Sequence, residues 1–339
     1  MRKTCFGVGA VLWIVILLGL GSCHNPGKDV NVVEDEIRLF IPTGAVYRQV
    51  LDSLRPLVKD IISFEEAAAK MEYERIYPGR YTFRKGMTNE EMLNRLMLGQ
   101  QDEIKITIGN YSSVYELGYK MEPLLRLKTE DIIAALSQTD EVAGMDTLKW
   151  IYCLAPDTYN FFWNVTGAEF VGKLLGQYKK FWTEERKKQL QSSGMTELQV
   201  ISLASVVQLE SYKADEQPKV AGLYLNRMRK GMKLDADPTV IFAIKQEKGW
   251  DHKVQRVYHK DLLRNSPYNT YLYKGIPPGP ICMPNPSAID AVLNPEHSDY
   301  IYFVADPERP GYHSYARTPQ EHEGNAKKYR DWANKNNIK

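Results

Sequence analysis

The run of residues 198–209 (LQVISLASVVQL) constrains this chain more than any other feature, because it is apolar or small on nearly every side. Thr196, with Gln199 three places on, forms a capping box that starts a helix there. A helix without a polar face is stable only when surrounded, so other elements must wrap around it. It ends at Glu210, four residues after Val206 and seven after Leu203, which puts the carboxylate on their face. Burial disfavours the charged form and lifts a carboxyl pKa toward neutrality, where a general acid works best. Two other fates stay open at this level: the side chain reaches water at the helix end, or it pairs with a core arginine.

The chain has 339 residues, 25% charged and 43% hydrophobic, which predicts about two folded domains. Forty-four Lys and Arg against 42 Asp and Glu leave a net charge of +2, so no broad cationic field exists to draw nucleic acid. Its 21 Tyr and 6 Trp suit packing, and they also suit contact with sugar rings. Cys5, Cys23, Cys153 and Cys282 form no CxxC pair, and the six histidines include no HExxH. We therefore expect no metal and no cofactor. Whether Cys153 and Cys282 meet as a disulfide is not readable from their spacing.

After Arg2 and Lys3, residues 5–23 carry no charge, close to the ~20 residues that cross a bilayer. This predicts a membrane anchor over 1–23 with the rest exported. Leu20-Gly21-Ser22-Cys23 also has the form of a lipobox, so a lipoprotein anchored at Cys23 is the alternative. Residues 24–35 read as a polar linker. Beyond it, 37–54, 81–98 and 104–121 echo one another as strand, turn and amphipathic helix, resembling LysM-like modules. The expected organisation is a LysM-like domain at 36–121, a helical connecting region at 122–192 and a catalytic domain at 193–339. Residues 300–306 (YIYFVAD) read as a strand against which the Glu210 helix packs. The expected fold class is α+β.

Downstream of Glu210-Ser211 come Pro218-Lys219-Val220-Ala221, Asn226-Arg227, Gly231-Met232, Leu234 and Asp237-Pro238-Thr239-Val240. Ser266-Pro267-Tyr268-Asn269-Thr270-Tyr271 follows, then Gly275-Ile276-Pro277-Pro278-Gly279-Pro280-Ile281, Pro284-Asn285-Pro286, the strand at 300–306, His313 and Glu321-His322. Upstream stands Pro156-Asp157-Thr158-Tyr159. This ordered set resembles the endolytic murein transglycosylase family, the MltG or YceG-like proteins, over nearly all of the exported chain. Two positions depart from that pattern: Gln208, where the family commonly has a further acidic residue, and the lipobox-like Cys23, where it has an uncleaved anchor.

The resemblance implies cleavage of the MurNAc-β-1,4-GlcNAc bond of nascent peptidoglycan strands, leaving a 1,6-anhydro-MurNAc end and so terminating elongation. It implies a single-pass protein of the bacterial inner membrane with a periplasmic domain, and penicillin-binding proteins or other peptidoglycan synthases as partners. Glu210 would serve as acid and then base. By the same resemblance Asn226 and Asn269 would bind N-acetyl or hydroxyl groups. Arg227 would hold a carboxylate or anchor Glu210, and Tyr159, Tyr268 and Tyr271 would stack on pyranose faces. Asp237, Thr239, Thr270 and His313 complete the expected substrate site. Asp237 before Pro238 also reads as a helix N-cap. Competing expectations are a lysozyme-type muramidase drawing a second carboxylate from Asp215, Glu216 or Asp237, and a non-catalytic peptidoglycan-binding scaffold.

Overall fold

A computed structural model describes residues 24–336. The fold is mixed α+β, and the chain divides into two compact units at residues 100 and 101. In the first, β1 (Glu36–Ile41) leads into α1 (Tyr47–Leu54), α2 (Ile61–Lys70), β2 (Gly79–Arg84) and α3 (Asn89–Met97). β1 and β2 pair antiparallel with Ile37 opposite Phe83 and Leu39 opposite Tyr81. Alternate residues of β1 point inward, as a period of two requires, onto Phe64, Met92, Leu93 and Leu96 from the helices.

The second unit opens with the same sequence of elements. β3 (Glu103–Ile108), α4 (Val114–Met121), α5 (Thr129–Ser137), β4 (Asp157–Phe162) and α6 (Gly167–Phe181) repeat strand, two helices, strand, helix, again with an antiparallel pair. The correspondence reaches single residues. Tyr81 and Phe83 match Tyr159 and Phe161, and the capping boxes Thr88/Glu91 and Thr166/Glu169 start the following helices. Each tyrosine donates its hydroxyl to the carbonyl four residues back, Tyr77 at 2.9 Å and Ala155 at 2.8 Å.

This corrects the expected organisation. The echo at 104–121 does not close a first domain ending at 121, because β3 finds its partner in β4, beyond residue 156. The region expected to be a helical connector therefore contains a strand. Among the described residues no helix is long and apolar enough to cross a membrane. The expected anchor over 1–23, with Cys23, lies outside them.

The rest of the second unit comprises α7 (Glu184–Ser193), α8 (Glu197–Glu210), α9 (Gln217–Arg229), α10 (Asp237–Lys248), α11 (Pro286–Leu293), the hairpin β5 (Tyr302–Ala305) and β6 (His313–Ala316), and α12 (Pro319–Lys335). α8 is the predicted all-apolar helix, started by the Thr196/Gln199 capping box, with Val200, Ile201, Leu203, Ala204, Val206 and Val207 fully buried. Its flanks are covered mainly by α9 and α11 rather than by the strand at 300–306; the hairpin reaches the core through Phe303, edge-on to Tyr224 at 6.1 Å. The polar residues on α8 gather a loop. Ser205 Oγ accepts from Ile281 N at 2.9 Å, and Gln208 Oε1 accepts from Asn285 N at 3.1 Å. Cys153 and Cys282 are both buried and free, which closes the question of a disulfide.

Candidate active site

α8 delivers Glu210 from the core into a cleft. Ser211 turns the chain into extended backbone, so the helix stops with its last side chain at the edge of the apolar packing. The cleft, about 430 Å³, is lined by Glu210, Arg227, Asp235 and Asp237, with Tyr271, Tyr302, Phe303 and His322 supplying aromatic surface. Tyr302 and His322 stack at 5.2 Å with an interplanar angle of 18°.

Burial pushes the Glu210 carboxyl up to about 7. Three neighbours adjust it. A hydrogen bond from Tyr224 and the charge of His313 pull it down, and the charge of Asp237 pushes it up. Tyr224 Oη donates to Glu210 Oε1 at 2.8 Å. Beside them His313 is fixed by Glu216, which accepts from the His313 backbone N at 2.7 Å and lies 3.1 Å from its Nδ1. Glu216 is itself buried, which works against ionisation, yet hydrogen bonds from His313 and Ser211 hold its carboxyl down at about 2. It is a carboxylate at any working pH. Glu210, by contrast, exchanges its proton near neutrality.

Asp237 is the first residue of α10, with Ala236 in the N-cap position, so the helix has no side-chain cap and Asp237 does not play the expected capping role. Its exposed carboxylate faces the cleft and accepts from Tyr271 Oη at 2.7 Å. Tyr271 owes its place to a set of buried ties. Thr270 Oγ1 accepts from Ala236 N at 3.0 Å and lies 2.9 Å from Thr239 Oγ1, and Asn269 donates to the carbonyls of Leu262 and Arg264. Thr239, Asn269 and Thr270 thus build the turn and do not line the cleft.

Other expected contacts are placed elsewhere. Asn226 donates to the carbonyls of Ser298 at 2.6 Å and Tyr300 at 3.1 Å, fixing the segment that leads into β5. Tyr268 is buried against Phe242, with ring centroids 4.5 Å apart. Tyr159 is the buried latch of β4. Arg227 does reach the cleft, but its guanidinium is paired with Asp235 and donates to the carbonyls of Lys233 and Ile301, so it does not anchor Glu210. Asp235 stands at a φ of +49°, in the left-handed region that Asp tolerates better than most residues.

Sequence reading missed Tyr224, Asp235, Tyr302, Phe303 and His322 as residues of the cleft. Tyr224 lies three residues before Arg227 and so shares its helix face, and Tyr302 and Phe303 stand within the 300–306 motif, whereas Asp235 had no signal. Among the described residues no group of three or more His, Cys, Asp or Glu side chains is placed to hold a metal ion.

A sequence profile of the YceG-like family matches residues 39–328. The chain belongs to the YceG-like family. A curated relative called endolytic murein transglycosylase, from Bacillus subtilis, is 26% identical over 86% of this chain and 84% of its own length. A protein of the same name from Streptococcus pneumoniae is 24% identical over 85% of this chain and 57% of its own, so the chain spans a little over half of that relative. A crystal structure of a YceG-like protein from Listeria monocytogenes superposes with a TM-score of 0.59 at 21% identity, covering 86% of this chain and 98% of the other. That likeness supports the fold.

Proposed function

We propose that this chain is an endolytic lytic transglycosylase of peptidoglycan, cutting the MurNAc-β-1,4-GlcNAc bond and leaving a 1,6-anhydro-MurNAc end. The observation that carries the reading is Glu210: a carboxyl lifted to about 7, aimed into an aromatic-walled cleft and held by one tyrosine hydroxyl. The name of the Bacillus relative, matched over most of both chains, agrees with it.

In this reading protonated Glu210 gives its proton to the bridging oxygen as the bond to C1 breaks. The resulting carboxylate then takes the proton of the sugar's own C6 hydroxyl as O6 closes on C1, so atoms and charge balance without water. Because the attacking oxygen belongs to the substrate, no enzyme nucleophile is needed. Tyr224 holds one Glu210 oxygen through both steps and leaves the other free. Asp237 and Tyr271 orient sugar hydroxyls, and the stacked Tyr302/His322 pair offers a face to a pyranose ring. Glu216 is unsuited to serve as the second carboxylate of a hydrolase, since both its oxygens are engaged by His313. We read residues 36–84 and 103–162 as the LysM-like part of the molecule, and 1–23 as the tether to the membrane.

The test is mass analysis of products from polymeric glycan strands treated with wild type and with Glu210→Gln. Anhydro ends from wild type alone support the proposal. Reducing ends, heavier by one water, would make the protein a muramidase, and intact strands with both proteins would leave a binding scaffold.

A further inference from the structure

A second aromatic surface lies on the same unit as Glu210, and the proposed reaction makes no use of it. Tyr115 and Tyr119, one helical turn apart on α4, are 37% and 61% exposed. With Trp250, just beyond the end of α10, they line a shallow cavity of about 280 Å³ completed by Glu116, Lys120 and Asp251. Helix packing does not account for them. α4 fills the core with Val114, Leu117 and Met121 from its other face, so both tyrosines are surplus to its folding. Trp250 is fixed by Phe242, with centroids 5.4 Å apart, so the edge of the surface is rigid.

The chemistry around these rings selects a class of ligand. Tyr115 Oη sits 3.3 Å from Thr147 Oγ1, and the Lys120 ammonium lies 5.8 Å from the Tyr119 ring. Glu116 is already committed, accepting from Ser112 N at 2.7 Å and lying 3.6 Å from Lys245, so it acts as wall and not as ligand. What remains is flat apolar surface with a hydroxyl, an ammonium and the Asp251 carboxylate at its rim. A pyranose offers the complement, with C–H faces and hydroxyl edges. A single ammonium beside a carboxylate is too weak a field for a polyanion or an anionic lipid surface. Three rings also fall short of the roughly 800 Å² per partner of a standard protein interface.

Position supplies the second argument. α10 begins at Asp237 in the Glu210 cleft and ends at Lys248, two residues before Trp250, so the two surfaces lie at opposite ends of a helix about 18 Å long. That is the length of a few sugar residues. We propose that Tyr115, Tyr119 and Trp250 form a distal glycan contact that engages polymeric strands but not fragments filling the cleft alone. The inference rests on peptidoglycan glycan being the substrate. It gives the unit a two-point hold that raises the effective concentration of a long strand at Glu210.

The experiment compares binding of polymeric glycan and of a short glycan fragment by the full chain carrying Glu210→Gln, so that nothing is cleaved. Adding Tyr119→Ala should raise the dissociation constant for the polymer about tenfold, the loss of one aromatic face, and that for the fragment less than about twofold. Adding Tyr119→Phe, which keeps the ring, should restore polymer binding. Unchanged polymer binding with Tyr119→Ala, or an equal loss for polymer and fragment, would overturn the proposal. Because no step depends on turnover, the product analysis of wild type can fail while this comparison succeeds, and the reverse.

Discussion

Glu210 stands between influences of opposite sign, and those of Tyr224 and Asp237 can each be removed by one near-isosteric substitution. If Glu210 must be protonated to act, kcat/KM falls as pH rises through about 7, and the Glu210→Gln variant loses about 10²–10⁴-fold in rate. Tyr224 lowers the carboxyl pKa by hydrogen bonding to the charged form, so Tyr224→Phe should move the alkaline limb of the pH profile to higher pH. Asp237 raises it by repulsion, so Asp237→Asn should move the limb the other way. Shifts in the same direction would remove Glu210 as the group being titrated. The fold records the same pKa. A carboxyl raised from 4.5 to about 7 on folding gives stability that is fully present below pH 4.5 and lost as pH rises through 7. Glu210→Gln should therefore melt above wild type at pH 8.5 and close to it at pH 4, a difference that thermal unfolding at the two pH values reads directly. Glu210 and its neutral pKa were legible in the sequence because an apolar helix ending in a carboxylate carries its own physics. Asn226, Asn269, Thr239 and Thr270 stand in the same motifs, but their hydrogen bonds go to backbone and to one another, and which residues of a motif build turns is visible only from their partners.

Elements reach the site through close backbone approaches. A Cβ on Gly222, in the middle of α9, would lie 2.3 Å from the Glu296 carbonyl oxygen. The segment from 296 is then carried by Asn226 through Ser298 and Tyr300 into β5, which brings Tyr302 and Phe303 to the cleft. Gly222→Ala should cost about 1–3 kcal/mol in denaturant unfolding by forcing α9 and this segment apart, and it should lower kcat/KM through the displaced hairpin. Gly172→Ala on α6, where nothing lies within 4 Å, should instead leave kcat/KM alone and stabilise by about 0.4–1 kcal/mol. α8 and the strand over 300–306 could be anticipated, since burial on all sides and β-branched aromatic runs are local signals. Which elements cover α8 could not, because α11 joins it from some 80 residues downstream and no local pattern encodes that pairing.

At the scale of the molecule, the division of the chain follows from strand partners. Reading repeats along the sequence placed 104–121 with the units before it, since similarity is visible locally. Pairing of β3 with β4 assigns it to the unit that contains Glu210, and Ile106, Ile108, Val114, Leu117 and Met121 belong to that unit's core. Removing them would uncover the apolar face of β4 and α5, at about 1.5–3 kcal/mol for each large side chain lost, which together is comparable to a whole stability margin. A fragment of residues 101–339 should thus unfold cooperatively and still cut soluble glycan, whereas one of residues 122–339 should be insoluble or molten. Calorimetry and near-ultraviolet circular dichroism distinguish these outcomes. A cooperative transition in the shorter fragment would mean that β3 and α4 are an appendage, and the repeated strand-helix-helix-strand pattern would then be an ornament on the Glu210 unit instead of part of its foundation.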